Sequence, residues 1–247
     1  ADCHTKLEQA RLWIRATDFN APDEEKTKVK SAIDIANKAC ELAKESAPND
    51  GEVLINSAYA LFAAEKKKEA VNRIQEAAEI GYPPAMVMMA RYLGQGKYME
   101  KDSEGAWLLL IKTLKTKHDS ARIQAALEFL PGGVGPENSK RAKSTLLDLI
   151  NEGNSKAMVA YAMKVLKLKK AKPNTKESEE GLALLERAAR KFQNPKAMIF
   201  LSLLYNQGNV VKRDEKKAIE YAQLAIDANV PQAFGTMGQI YQNMPKF

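Results

Sequence analysis

Apolar residues in this chain recur at spacings of three and four, in blocks a few helical turns long that are separated by Gly, Pro, Asn and Asp. That is the period of amphipathic helices. The stretch from Asn194 to Asn229 shows the unit most clearly. Pro195 suits a first helical turn, where a missing N–H does no harm. Ala197, Leu201, Leu204 and Tyr205 then follow at helical spacing until Gly208 interrupts them. Asp214 is placed as an N-cap, with Ala218, Tyr221, Ala222 and Ala225 as the inner face of a second helix, and Asn229 suits a left-handed C-terminal cap. The chain therefore predicts helix pairs joined by tight corners, and a single pair cannot bury its own apolar face.

Upstream, the pattern predicts helices from about His4 to Thr17 and Glu25 to Glu45, then Gly51 to Phe62 and Lys67 to Ile80. A 34-residue period links Ala36 to Ala70, Ala43 to Ala77 and Pro48 to Tyr82. From Gly81 onward the period lengthens: Ala85, Ala121, Ala157, Ala197 and Ala233 lie 36, 36, 40 and 36 residues apart. Five residues after each stands a small side chain, Ala90, Ala126, Ala162, Ser202 or Gly238, as close helix contact requires. Eleven after come Gly96, Gly132, Leu168 and Gly208, and Asp102, Asn138, Ser178 and Asp214 fall in register as predicted N-caps. A thirteenth helix, about Gln232 to Asn243, reads as a terminal cap with a polar outer face.

The period of the first part is similar to the tetratricopeptide repeat. The longer columns, about Ala85 to Tyr241, resemble the Sel1-like repeat, best in Ala197, Leu201, Ser202, Tyr205, Gly208, Val211, Asp214, Lys217, Ala218, Tyr221 and Ala225. The resemblance implies an all-α, right-handed α-solenoid of about six helix pairs plus a C-terminal helix. It is expected as a single domain over residues 1–247: tetratricopeptide-like pairs over 1–80, Sel1-like repeats over 81–229 and a capping helix over 230–247. Two departures stand out: KLKKAKPNTK at Lys167 to Lys176, where the other pairs have a glycine corner, and the Gly132–Pro136 corner.

Composition narrows the picture. At 45% apolar content and only 10 Pro, an ordered helical core is affordable, and no apolar run is long enough to cross a membrane. The net charge of +7 and pI near 9.2 come with lysine spread along the whole chain, favouring an acidic partner. Arginine-rich helices with interleaved aromatics are absent, so nucleic acid is not expected. If the first two helices pack antiparallel about a loop at Asn20 to Asp23, Cys3 falls opposite Cys40, which predicts a disulfide and an oxidising compartment; two reduced thiols are the alternative. The chain starts at Ala1 rather than Met, which fits removal of an export signal or some other trimming.

Candidate chemistry is sparse. His4 and His118 lie far apart without Cys, Asp or Glu at ligand spacing, so no metal site, cofactor or catalytic residue is expected. Gly94–Lys97 and Gly132–Gly135 look like phosphate loops but follow no strand. Two binding features remain. Val87, Arg91, Ile123, Leu127, Val159, Met163, Ile199 and Leu203 recur on the first helices and predict a partner-binding groove, unless adjacent helices bury them. Lys164, Lys167, Lys169, Lys170 and Lys172 form a basic loop that suits contact with an acidic partner or anionic lipid headgroups, a solvated run being the alternative. What the Sel1-like resemblance implies is a periplasmic, non-enzymatic binding protein. The roles it implies include inhibiting or sequestering a partner, as an immunity protein does with a secreted lipase-type effector, and scaffolding an envelope, signalling or secretion assembly; a glycan-processing enzyme is the distant alternative.

Overall fold

The computed structural model describes residues 3–17, 21–130, 132–135, 140–168 and 175–243, without the side chains of Arg141, Ala142, Lys143, Lys167, Leu168 and Glu177. Regular structure among them is entirely α-helical, and the fold is an all-α solenoid of helix pairs. It divides into two compact units, residues 1–137 and 138–247.

The N-terminal unit holds α1 (Cys3–Ala16), α2 (Asp23–Ser46), α3 (Gly51–Ala63), α4 (Lys67–Glu79), α5 (Pro83–Gln95), α6 (Ser103–Leu114) and α7 (Asp119–Leu127). Successive helices pack pairwise, and each pair packs on the next. Leu54, Ala58, Ile74, Ala77, Ala85 and Met86 form one core cluster from α3, α4 and α5. Cys3 and Cys40 are joined, with Sγ atoms 2.10 Å apart, and the bridge lies buried against Leu7 and Ala60. Arg73 of α4 donates to Glu41 of α2 at 3.2 Å and to Glu76 at 3.0 Å, tying neighbouring second helices together.

The C-terminal unit holds α8 (Lys140–Asn151), α9 (Ser155–Leu168), α10 (Lys176–Phe192), α11 (Pro195–Gln207), α12 (Glu215–Asp227) and α13 (Gln232–Gln242). Here the leading alanines Ala157, Ala197 and Ala233 are fully buried, as are Ala162 and Ser202 five residues on.

Two corners are closed by the same bonds. The backbone N–H of Asp102 donates to Leu93 O and that of Asp214 to Tyr205 O, both at 3.0 Å. Each carboxylate then accepts from a first-turn N–H of the next helix, Gly105 at 2.8 Å and Lys217 at 3.0 Å. The chain can reverse there because Gly96 (φ 66°) and Gly208 (φ 71°) take the left-handed conformation. The fourth corner departs from the expected register. Thr175, not Ser178, caps α10; Ser178 is the third helical residue and completes a reciprocal box, its N–H donating to Thr175 Oγ1 at 3.2 Å while Thr175 N–H donates to Ser178 Oγ at 2.9 Å. The extra residues in that repeat let the helix start one turn early. The expected cap Asn138 lies outside the described residues.

A second column of caps opens the first helices: Asp50, His118, Asn154 and Asn194 each accept from a first-turn N–H. His118 thus has a local structural task, its Nδ1 accepting from Ala121 N–H at 3.2 Å. Helix ends also agree with the pattern at Gly81, Gly153 and Asn229, and Gln193 joins them at φ 47°.

The Cys3–Cys40 bridge spans 37 residues of sequence, so replacing both cysteines with serine should lower unfolding free energy by about 3–4 kcal/mol in the loop-entropy picture. Denaturant midpoints of the two forms, and loss of amide protection in α1 alone, measure this; equal midpoints would show the bridge to be dispensable.

Candidate functional site

The expected groove row splits in two on inspection of burial. Val87, Ile123 and Val159 are buried and belong to the core. They offer no surface to a partner. Arg91 is engaged within its own unit: its Nε donates to Glu128 Oε1 at 2.6 Å, and Glu128 also accepts from Val134 N–H at 3.2 Å, pinning the corner after α7. Leu127, on the same unit, is half-buried.

Met163, Ile199 and Leu203 are different. They line one apolar concavity of about 440 Å³ in the C-terminal unit, together with Phe200, Pro195 and Val230. Met163 is 42% exposed there, and Lys196 and Gln232 supply polar rims. The helices that build it are α9, α11 and the chain entering α13. Those three helices contain Lys156, Lys164, Lys167 and Lys196 and not one Asp or Glu. The acidic residues of this unit sit instead on α8, α10 and α12 and beside them, for example Glu179, Glu186, Glu220 and Asp227. The helices that build the groove are therefore basic without acids, Lys196 stands at its edge, and its floor is apolar.

Counting by unit sharpens the charge. Residues 1–137 carry 19 Lys and Arg against 21 Asp and Glu, while residues 138–247 carry 19 against 10. Basic residues are evenly divided, as their spread in the sequence suggests; acidic ones are not. The C-terminal unit alone is formally +9 and the N-terminal unit −2. Of the basic loop, Lys164 is half-buried on α9, Lys167 lies in the same helix with its side chain outside the described residues, and Lys169, Lys170 and Lys172 lie outside them altogether.

Behind the groove, α11 is locked to its neighbours by an aromatic ladder. The Tyr205 and Tyr221 rings stack with centroids 6.0 Å apart and planes 2° from parallel. Lys217 Nζ lies 5.0 Å from the Tyr205 ring, and Arg190 Cζ lies 5.1 Å from that of Tyr221. Both phenols donate to Glu186 of α10, at 3.2 and 3.4 Å, and Arg190 donates to Glu220 of α12 at 2.7 Å. Burial, and then the nearby Glu186 carboxylate, push the Tyr205 phenol up to about 12. The ladder joins α10, α11 and α12, so the groove side chains of α11 are held on a rigid element.

Among the described residues no three His, Cys, Asp or Glu side chains come together as metal ligands, and no helix is long and apolar enough to cross a membrane. The glycine-rich corner 132–135 spends its N–H groups internally, Gly135 on Glu128 O and Val134 on the Glu128 carboxylate.

Known proteins share both the repeats and the fold. The family model for the Sel1 repeat matches residues 83–113 and 195–230, which are α5–α6 and α11–α12 with the two identically closed corners. Solved Sel1-repeat structures align along nearly the whole chain: one from Oxalobacter formigenes, with a TM-score of 0.51 at 20% identity, covers 92% of this chain and 88% of its own. The chain carries Sel1 repeats at those two segments, on the fold of solved Sel1-repeat proteins. A second structure of the same fold, the protective antigen c5321 of uropathogenic Escherichia coli strains, aligns with a TM-score of 0.51 at 17% identity over 98% of this chain and 49% of its own. Among curated sequences, an uncharacterized protein of Neisseria meningitidis serogroup B is 25% identical over 199 residues; the match takes in 81% of this chain but only 40% of that relative's length. The two middle Sel1-like units, which the family model passes over, are those with the irregular third corner and the basic insertion. Sel1 repeats are protein-interaction scaffolds, and the concavity on α9 and α11 is an apolar surface in the C-terminal unit.

The Tyr205 phenol yields a pH test. Its folded pKa of about 12 lies above the ordinary value of 10, so its stabilising contribution is complete below about pH 10 and is lost as pH rises toward 12. Urea unfolding of the wild type should weaken over that window, and Tyr205→Phe should flatten the slope; tyrosinate absorbance of that variant should lack a late-titrating phenol that the wild type shows.

Proposed function

We propose that this Sel1-like repeat protein is an exported binding scaffold whose C-terminal unit holds an acidic segment of a partner protein. The observation that carries it is the coincidence of an apolar concavity with helices that bear lysine and no acid, in a unit of net charge +9. Apolar side chains of the partner would enter between Met163, Ile199, Phe200 and Leu203, while Lys196 at the edge and Lys164 on α9 would meet its carboxylates. The lysines at 167, 169, 170 and 172 extend the same basic edge in sequence. Steering by such a field raises encounter rates, and burial in the apolar floor slows release. The Cys3–Cys40 bridge, and the absence among the described residues of a helix able to cross a membrane, are compatible with a soluble protein of the periplasm. In its sharper form the scaffold inhibits or sequesters what it binds, and a secreted lipase-type effector is the partner for which it would serve as immunity protein. That form predicts rescue of cells expressing the effector, whereas a non-inhibitory scaffold binds without rescue.

A synthetic amphipathic helix with leucines on one face and glutamates along its edges should bind the intact protein, more weakly as salt rises, and its lysine-edged counterpart should not. Leu203→Asp, and separately Lys164→Glu with Lys196→Glu, should each weaken binding by about tenfold or more in fluorescence anisotropy. Equal binding of the two peptides, or affinity untouched by all three substitutions, would remove the proposal.

A further inference from the structure

A methionine side chain can change its polarity without leaving its place. A two-electron oxidant turns the thioether into a sulfoxide, so that a soft apolar group becomes a strong dipole that accepts hydrogen bonds. The chain has nine methionines. Met86 and Met158 are wholly buried, and Met198 is 3% exposed and Met89 7%. Met88, Met99 and Met237 are half-buried, and Met88 Sδ already accepts from the Tyr59 hydroxyl at 3.8 Å. Met163, at 42%, is the most exposed methionine among the described residues; Met244 lies outside them.

That exposed thioether stands in the apolar concavity. Pro195, Ile199, Phe200, Leu203 and Val230 surround it, with Lys196 and Gln232 at the rim. Dilute peroxide attacks none of these, so of the lining side chains Met163 alone is oxidisable. Leu127 and Leu203 hold the same place in other repeats, six residues after Ala121 and Ala197. Leucine at 163 would give a partner the same apolar contact. Methionine gives that contact together with a group that chemistry can convert.

We propose, on the reading that a partner's apolar side chains enter this concavity, that Met163 is a reversible oxidation site through which peroxide closes the groove. A lone pair of Sδ attacks one oxygen of hydrogen peroxide. The S–O bond forms, the O–O bond breaks, and after proton transfer the other oxygen leaves as water; sulfur gives up two electrons and peroxide takes them. In the empty groove water solvates the sulfoxide oxygen, and the fold is untouched. A partner that covers it strips that water and brings only apolar groups, so the acceptor is left unpaired and binding weakens. The lysines keep their charge, so the response to salt is unaltered. By linkage, a bound partner in turn shields the thioether. Methionine sulfoxide reductases return the thioether and reopen the groove.

The test treats the intact protein with dilute hydrogen peroxide, removes the excess with catalase, maps oxygen uptake by peptide mass and titrates the leucine-faced, glutamate-edged peptide, which contains no methionine. Met163 should be oxidised about tenfold or more faster than Met86, Met158 and Met198, and more slowly with the peptide bound. Once Met163 is converted, affinity should fall about tenfold at every salt concentration, with helical circular dichroism unchanged. Met163→Leu, in which every other methionine still reacts, should have the same affinity after peroxide as before it. Met163→Gln, which sets an amide near the place of the sulfoxide, should bind weakly with no oxidant present. Oxidation of Met163 no faster than that of the buried methionines, an affinity that peroxide leaves unchanged, or an equal loss in Met163→Leu would each overturn the proposal. Absence of binding before any peroxide is added would remove the groove as a binding surface, and its regulation with it; that outcome is read separately from the oxidation rates of the free chain.

Discussion

Close approach of paired helices is the constraint on which the rest depends. Ala90, Ala126, Ala162 and Ser202 are fully buried, and Ser202 reaches the backbone carbonyl of Ala218 directly. A larger side chain at these positions would push the second helix outward and open the seams that bury the leading alanines. Because that spacing is short, the corner must turn within a few residues. A left-handed glycine and an aspartate bonded through both its N–H and its carboxylate accomplish the turn at Gly96–Asp102 and Gly208–Asp214. Each corner therefore follows from the packing it serves.

The same geometry separates two kinds of surface. On the first helices Val87, Ile123 and Val159 are buried, whereas Met163, Ile199, Phe200 and Leu203 line an apolar concavity. Second helices carry the acids of the C-terminal unit, and the groove helices carry lysine alone. A hydrophobic floor supplies affinity without direction, while a single-signed rim supplies direction and partner choice. The tyrosine ladder behind α11 gives this surface a rigid backing, with Glu186 shared between two phenols and cations over both rings.

Several features were legible in the residues themselves because each depends on neighbours close in sequence or on a repeat period. The helix pairs, the small-residue column, the Asp102 and Asp214 caps and the hairpin that sets Cys3 beside Cys40 are of this kind. The cap of α10 was misplaced by three residues because an insertion shifts where the helix begins, and Thr175 with Ser178 satisfies the same orphan N–H groups that a single cap would. The capping task of His118 was not legible because imidazole is an unusual cap, although its column with Asn154 and Asn194 was there to be counted.

The sequence by itself determined the period, the pairing of helices and the chemistry of their ends, since those are set by backbone hydrogen bonding and side-chain size within one repeat. It also contained the uneven division of acids, 21 and 10, but not its meaning, because a count acquires a direction only when helices have faces. Tertiary structure decided which apolar positions are core and which are surface. One periodic row holds Val159, which is buried, and Ile199, at the edge of a concavity, and the difference lies wholly in what packs on each.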